Sequence, residues 1–369
     1  MAQRHLAAAL GLLLAGSAPA AAQNLGQMLR PDPQTATTKV GTRGANFLEF
    51  GVGARAQALA GAVTALAEGA TALYWNTAGS AGMEGIQAAF SYSELFDAGI
   101  THNYAAVVMP VGQGAVGASF INFSSGDIPR TTEEWPDGGD PVAGSTFEWT
   151  AVAFGLHYAR TITDRLAVGA AAKYAQEGIE QGTASYLGLD LSTRFRTGLY
   201  GVTIGAALNN IGSSGRIEGH AVQRRLASSQ AQDQFIVSHP IDITFRTRKA
   251  PLPTVFRFGV QTDLVGAPDA LLAPNPQHRL VFAGEVTDAI DTDMQPAVGL
   301  EYSWKELFFL RGGKRWFNED RSPWEFSDGM AGGFGLRVPV FGRKLAFDYS
   351  YTSMGELNNV QVFSLEFGF

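Results

Sequence analysis

The residues able to do chemistry are few and poorly placed for it. Five histidines lie beyond the first turn of the chain, His102, His157, His220, His239 and His278, and none stands at a ligand spacing such as H-E-x-x-H. Cysteine is absent, which removes disulfides, thiolate metal sites and cysteine nucleophiles together. A lipid hydrolase would need a serine and a histidine held together on neighbouring strands. His157, on an alternating segment, offers half of such a pair, and a plain lumen or loop histidine is the simpler reading. No G-x-S-x-G elbow is present, because Gly212-Ser213-Ser214-Gly215 has the wrong spacing. Gly51-Val52-Gly53-Ala54-Arg55-Ala56 matches G-x-G-x-x-A, with Glu68 further on. A dinucleotide site needs that motif inside a parallel βαβ unit, and nothing downstream supplies one. Gly312-Gly313-Lys314 lacks the rest of a phosphate loop. The expectation is a protein that is no enzyme, with no metal site and no cofactor.

The elements around these residues point elsewhere. Of 369 residues 44 are glycine, and only 17% are charged, below the ~25% usual for soluble chains. With 46% hydrophobic residues the chain can bury a large surface, which argues against disorder. The net charge of −7 speaks against a nucleic-acid partner. Arg4, an uncharged apolar run over 6–16 and the small pair Ala20 and Ala22 have the layout of a secretory signal over residues 1–22. A polar, proline-containing segment over 23–46 reads as a flexible lead-in, and 47–85 as a separate segment with helical spacing over 54–67.

From 86 to 369 the pattern becomes runs of about ten residues with period-two alternation, broken by Gly, Pro, Asn and Asp. In one run Leu187, Leu189 and Leu191 oppose Gly188, Asp190 and Ser192. In another Leu300, Tyr302 and Trp304 oppose Gly299, Glu301 and Ser303. In the last run Phe363, Leu365, Phe367 and Phe369 share a side, against Gln361, Ser364, Glu366 and Gly368. Aromatic residues gather near strand ends, and the opposite face is too polar for a sandwich core. An apolar outside and a polar inside is what a closed barrel in lipid requires. The expected fold class is therefore all-β, a transmembrane antiparallel β-barrel of about 14 strands, with a small, partly helical N-terminal hatch. The strands are placed at 86–94, 101–110, 114–124, 148–162, 166–176, 185–197, 201–210, 254–263, 278–288, 294–304, 307–316, 330–339, 344–351 and 360–369. Short turns alternate with long connections at 125–147, 211–253 and 317–329, and 264–277 is a longer inner turn. Lys173, Asp190, Arg194, Arg257, Glu285, Glu301, Arg311, Arg337 and Asp348 fall on the lumen side with both signs of charge. Ion pairing across the interior or with a plug accounts for them. Glu133, Glu134, Asp137 and Asp140 beside Trp135 form an acidic loop, read as solvated surface, with a partner site as the sharper alternative.

The stretch from Phe50 to Met83 resembles the start of the PorV/PorQ family, a branch of the FadL-like outer-membrane barrels. The resemblance rests on Gly53-Ala54-Arg55-Ala56, on the small-residue run with Gly61 and Ala62, and on Tyr74-Trp75-Asn76 followed by Thr77, Ala78 and Gly79. The family has proline where Thr77 stands. Leu252-Pro253-Thr254 leading into Phe256-Arg257-Phe258-Gly259 and the Phe369 terminus extend it loosely along the chain. The resemblance implies a hatch folded into the lumen and residence in the bacterial outer membrane, with outer-membrane lipid and the barrel-assembly machinery as partners. For the PorV branch it implies service to type IX secretion, with secreted cargo proteins and a secretion translocon as further partners. For the wider FadL-like group it implies transport of long-chain fatty acids or other hydrophobic small molecules. The C-terminal strand through Phe363, Leu365, Phe367 and Phe369 would be the part read by the assembly machinery.

Overall fold

The computed structural model describes residues 41–141, 144–226, 241–317, 327–340 and 343–368. The signal segment, most of the lead-in and Phe369 lie outside the described residues. Among the described residues there are fourteen long strands: β1 Gln87–Leu95, β2 Ile100–Val111, β3 Gly114–Ser124, β4 Trp149–Thr161, β5 Leu166–Ile179, β6 Gly182–Arg196 and β7 Thr203–Gly212. The series continues with β8 Val255–Gly266, β9 His278–Ala289, β10 Gln295–Trp304, β11 Phe308–Arg315, β12 Met330–Val340, β13 Arg343–Ser353 and β14 Asn359–Gly368. Each is antiparallel to its sequence neighbour, and β1 pairs with β14 from Gln87↔Gly368 to Leu95↔Val360, so the sheet closes on itself. Closure matters because a strand edge in hydrocarbon would leave a row of amide groups unpaired.

The faces are inverted relative to a soluble protein. On β6, Leu187, Leu189 and Leu191 are 66%, 57% and 56% exposed, while Asp190 and Ser192 between them are 2% and 6% exposed. Strand periodicity turns alternate residues to opposite faces, so the leucines face outward and the polar groups face the lumen. The same holds on β10, where Leu300, Tyr302 and Trp304 are exposed and Glu301 and Ser303 buried. On β14 Phe363 and Leu365 face outward and Val360, Val362 and Ser364 inward. Gln361 departs from the sequence reading: it shares the outer face with Phe363, where the Tyr349 hydroxyl donates to its Oε1 at 3.1 Å. A pattern led by one polar residue in an apolar run misplaces that residue, because strict parity overrides polarity.

The three longest connections, 125–148, 213–254 and 316–329, lie at one end of the barrel, here the loop end, and the other, the turn end, carries short turns apart from 267–277. The loop over 125–148 is braced by Ile128–Pro129 paired with Thr146–Phe147. The loop over 213–254 carries two further ladders, Ser214–Gly215 with Ala250–Pro251 and Gln223–Leu226 with Ile241–Thr244. Strand limits lie within three residues of those read from the sequence. Two of the three largest extensions meet at the hairpin between β5 and β6, which turns through Glu180 at φ 52° and Gln181, and the third carries β8 on to Gly266. Two ladders slip register. One slip lies between Leu189 and Leu191 of β6, opposite Asn209 and Asn210 of β7, and the other between Asp263 and Val265 of β8.

Residues 41–86 pass through the lumen from end to end. The chain starts at the loop end, where the Gly44 amide donates to the Pro251 carbonyl at 3.1 Å. It reaches the turn end by Glu68, which pairs with Arg194 at 2.7 Å, and there joins β1. The helix expected over 54–67 is much shorter: α1 spans Ala54–Ala58 and α2 spans Ala72–Trp75. Ala60 and Gly61 adopt positive φ, and the wall takes the backbone groups a helix would use. Arg315 Nε donates to the Ala60 carbonyl, and the Thr64 amide donates to Glu285. Tertiary contacts thus overrule the helical spacing of a run too short to hold a helix alone.

Candidate functional site

Each residue of the Gly53–Gly79 motif has a definite place in this plug. Gly53, at φ 84°, sets the turn into α1, a backbone region open to glycine and strained for other residues. The Ala54 amide donates to Ser364 Oγ at 2.7 Å. Arg55 forks onto Glu301 through Nε and Nη2, both at 2.8 Å. Burial alone would weaken the Arg55 charge, but the Glu301 carboxylate more than reverses this and holds the guanidinium above its ordinary pKa. The Tyr74 hydroxyl donates to the Leu48 carbonyl and Trp75 Nε1 to the Val52 carbonyl, both at 2.9 Å, tying the two halves of the plug together. Asn76 Nδ2 donates to the Thr64 carbonyl within the plug and to the Thr193 carbonyl of the wall, while its Oδ1 accepts from the Ala78 amide. Ala78 also donates to Ser192 Oγ at 3.1 Å, and Gly79 packs where an added Cβ would strike the Ala67 carbonyl.

The nine lumen candidates all line the interior but fall into separate groups. Glu301 accepts from Arg311 at 2.6 Å as well as from Arg55, and Arg311 continues to Asp348 at 2.5 Å, a buried chain linking plug and wall. Lys173 pairs with Asp190 at 2.6 Å, and Asp190 also accepts from the Asn210 amide in the β7 bulge. Arg257 lies 3.8 Å from Glu285, over the Trp75 ring at 4.8 Å. Glu285 takes the amide and hydroxyl of Thr64 at 2.8 and 2.9 Å. Arg194 and Arg337 stand at the turn end, the first on Glu68, the second 4.2 Å over Phe309. Charges buried this deeply persist only when paired.

Three features were not read from the sequence. First, Ser119 Oγ lies 2.8 Å from His157 Nε2, the serine–histidine contact for which His157 offered half. Gly155 makes room for it, since an added Cβ there would sit 2.5 Å from His157 Nε2 and 2.6 Å from Ser119 Oγ. His157 Nδ1, however, faces the Thr77 hydroxyl of the plug at 3.2 Å, where a hydrolase would hold an orienting carboxylate. The pair therefore serves to seat the plug. Second, an aromatic cluster covers the plug at the loop end: Phe50 stacks on Phe123 at 5.8 Å, and Phe47, Phe96 and Trp149 complete it. Its members come from the plug, the β1–β2 turn, β3 and β4, so no local pattern announces it. Third, Glu49 at the start of the plug is pushed up to about pKa 7 by burial, with Asp291 repelling its charge as well.

Space is unevenly distributed along the lumen. At the turn end a vestibule of about 1260 Å³ is lined by Arg55, Glu68, Arg194, Gln261, Arg337 and Glu366. Beneath the aromatic cluster there is a void of about 10 Å³ among Leu48, Leu73, Tyr104, Ile121 and Ala153. Between the two the plug packs directly on the wall. The ladders of β3 with β2 and β4 run without a register break beside that void.

No family model matches the sequence, and no curated protein matches it. Solved structures do match. The toluene transporter TbuX of Ralstonia pickettii superposes with a TM-score of 0.54 at 12% identity, covering 86% of this chain and 98% of that one. The ΔS2S3 mutant of the TodX monoaromatic hydrocarbon channel gives 0.52 at 11% identity, over 86% and 99%. The Pseudomonas putida toluene transporter TodX gives 0.50 at 10% identity, over 86% and 96%. At such identities the likeness is one of architecture: the chain is a closed fourteen-stranded antiparallel barrel with the FadL-like fold.

Proposed function

We propose that this chain is a non-enzymatic barrel of the outer membrane that conducts hydrophobic small molecules from its loop end, past the plug, to its turn end. The observation that carries this reading is the aromatic cluster seated on the plug. Phe50, Phe96 and Trp149, half-buried, form an apolar landing surface at the end with long loops, backed by the buried rings of Phe47 and Phe123. Below it lie the small apolar void and then, beyond the plug, the wide polar vestibule. Such a sequence draws an apolar solute out of water and releases it on the far side. The proteins of like architecture named above as toluene transporters support the same reading. Because the ladders beside the void are continuous, passage requires the plug to move.

A second reading, a PorV/PorQ-type barrel that receives or shuttles exported proteins for type IX secretion, is favoured by a different observation. The wall is shaped to keep the plug: at Gly313 an added Cβ would lie 2.5 Å from the Leu59 carbonyl carbon, and at Gly117 2.6 Å from Leu73. A barrel sealed that well suits a platform formed by its braced outer loops.

A reversible lock separates the two. The native chain has no cysteine, so Ala54→Cys with Ser364→Cys provides one specific disulfide between plug and β14 in place of a 2.7 Å hydrogen bond. In proteoliposomes the oxidised lock should abolish toluene or fatty-acid flux, and reduction should restore it. Flux no faster than in protein-free liposomes, before locking and after reduction, sinks the conduction reading, while undiminished flux through the locked barrel sinks the requirement that the plug move. Normal flux without the chain in cells, together with loss of protein export, would put the second reading in its place.

A further inference from the structure

Directly under Phe50, at the loop end of the lumen, a group of polar side chains is fully enclosed without hydrogen-bond partners. His102 of β2 and Ser93 of β1 are 0% exposed, as is Ser350 of β13. Neither ring nitrogen of His102 is bonded, and the hydroxyls of Ser93 and Ser350 have no partner. The Phe47 backbone approaches the imidazole without completing a bond of normal geometry. These residues share one row of the lumen wall: His102 is in register with Ser93, Ser93 with Val362, and Val362 with Ser350. Phe50 packs on the His102 end of the row, its ring centre 6.1 Å from that of His102. Orphaned buried polar groups are costly, so a fold that keeps several in one place has a use for them or a partner to give them.

We infer that His102 and its cross-strand neighbour Ser93 form a subsite for the uncharged hydroxyl of an otherwise apolar ligand, reached when Phe50 swings aside. This rests on the conduction reading and names its substrate class. The chemistry selects among candidates. A pure hydrocarbon would leave the ring nitrogens and hydroxyls as unsatisfied as before, and so gains nothing from them. A carboxylate would need a cation, and neither the row His102, Ser93, Val362, Ser350 nor the phenylalanine rings beside it supply one. A hydroxyl donates and accepts at once, matching a neutral imidazole that has one nitrogen of each kind, with the Ser93 hydroxyl free to rotate to either role. The surrounding Phe47, Phe50 and Phe123 rings would take the apolar body of the molecule.

Three ligands of one size test this on the purified protein in nanodiscs: 4-ethylphenol, ethylbenzene and 4-ethylbenzoate, titrated by calorimetry. The wild type should bind 4-ethylphenol about tenfold more tightly than ethylbenzene, a difference of about 1.4 kcal/mol. His102→Phe should reduce that preference to within about twofold and leave ethylbenzene affinity in place. Ser93→Ala, a smaller change that spares the wall, should lower the preference about threefold. Equal wild-type affinity for phenol and hydrocarbon, or a preference that survives both substitutions, overturns the subsite while leaving conduction standing. Tightest binding of the benzoate overturns the uncharged class. Binding of none of the three overturns subsite and conduction reading together.

Discussion

At the scale of single residues, the chain spends its scarce charges on fixing the plug. Arg55 is the clearest case, because it joins a plug helix to a wall carboxylate that Arg311 already holds. Removing it leaves Glu301 buried with one cation in place of two. Arg55→Met should therefore loosen the plug by roughly 3 kcal/mol, the lower end of the cost of breaking a buried pair. The barrel itself should still show its heat-dependent shift in gel mobility, while hydrogen exchange at 54–59 rises sharply; unchanged protection there would show that Arg55 anchors nothing. Its wall partners Glu301 and Arg311 were visible in the sequence as lumen-side charges, because parity alone assigns a strand residue to a face, and Arg55 itself stood out only as part of the plug motif. The pairing was not legible. Arg55 and Glu301 are 246 positions apart, and register around a closed sheet is needed before anyone can say which acid meets which base. His102 was hidden for a related reason: an isolated histidine in an apolar strand says nothing about whether its nitrogens are satisfied.

At the scale of elements, glycines on the lumen face decide how closely plug and wall approach. Gly313 on β11 lies against the backbone of Leu59 and Ala60, with 2.5 and 2.8 Å left for an added Cβ. Gly313→Val has no rotamer that escapes backbone atoms, and overpacking of this kind costs ~1–3 kcal/mol or more. The expected result is a plug pushed from that wall, read as faster proteolysis within 54–66 and increased sensitivity of cells to large antibiotics. A fully protected plug in this variant would mean that the contact is slack. The high glycine content was plain from the start, yet its purpose was not. Alternation places glycine on the inner face, but only the path of the plug shows which glycines meet backbone. The plug also explains the one large misreading of secondary structure, the long helix over 54–67. Helical spacing in an alanine-rich run is a local signal, and here Arg315 and Glu285 claim the backbone at Ala60 and Thr64.

At the scale of the whole molecule, the strands were the legible part. Fourteen runs placed from alternation and turn residues coincide with the fourteen long strands, because each face of a barrel strand meets one solvent along its entire length. Exposed leucines beside buried aspartate record that arrangement directly, as on β6. Function was less legible, because it depends on whether the lumen is filled and what fills it. A chain lacking residues 47–85 tests the division of labour between wall and plug. It should still insert as a barrel and, in planar bilayers, carry a large steady ion current, against little or none for the intact chain. Equal conductance in the two would mean that the plug does not seal the lumen.

The seam between β1 and β14 carries one more implication, for how the molecule is made. The plug runs the length of the interior and leads straight into β1, and β14 follows every other strand of the ring in chain order. A finished ring offers no doorway for forty-odd residues joined to its own staves. Biogenesis must therefore gather the partly zipped sheet around the plug and stitch the first stave to the last only afterwards, so that a premature stitch would trap an empty, leaking cask.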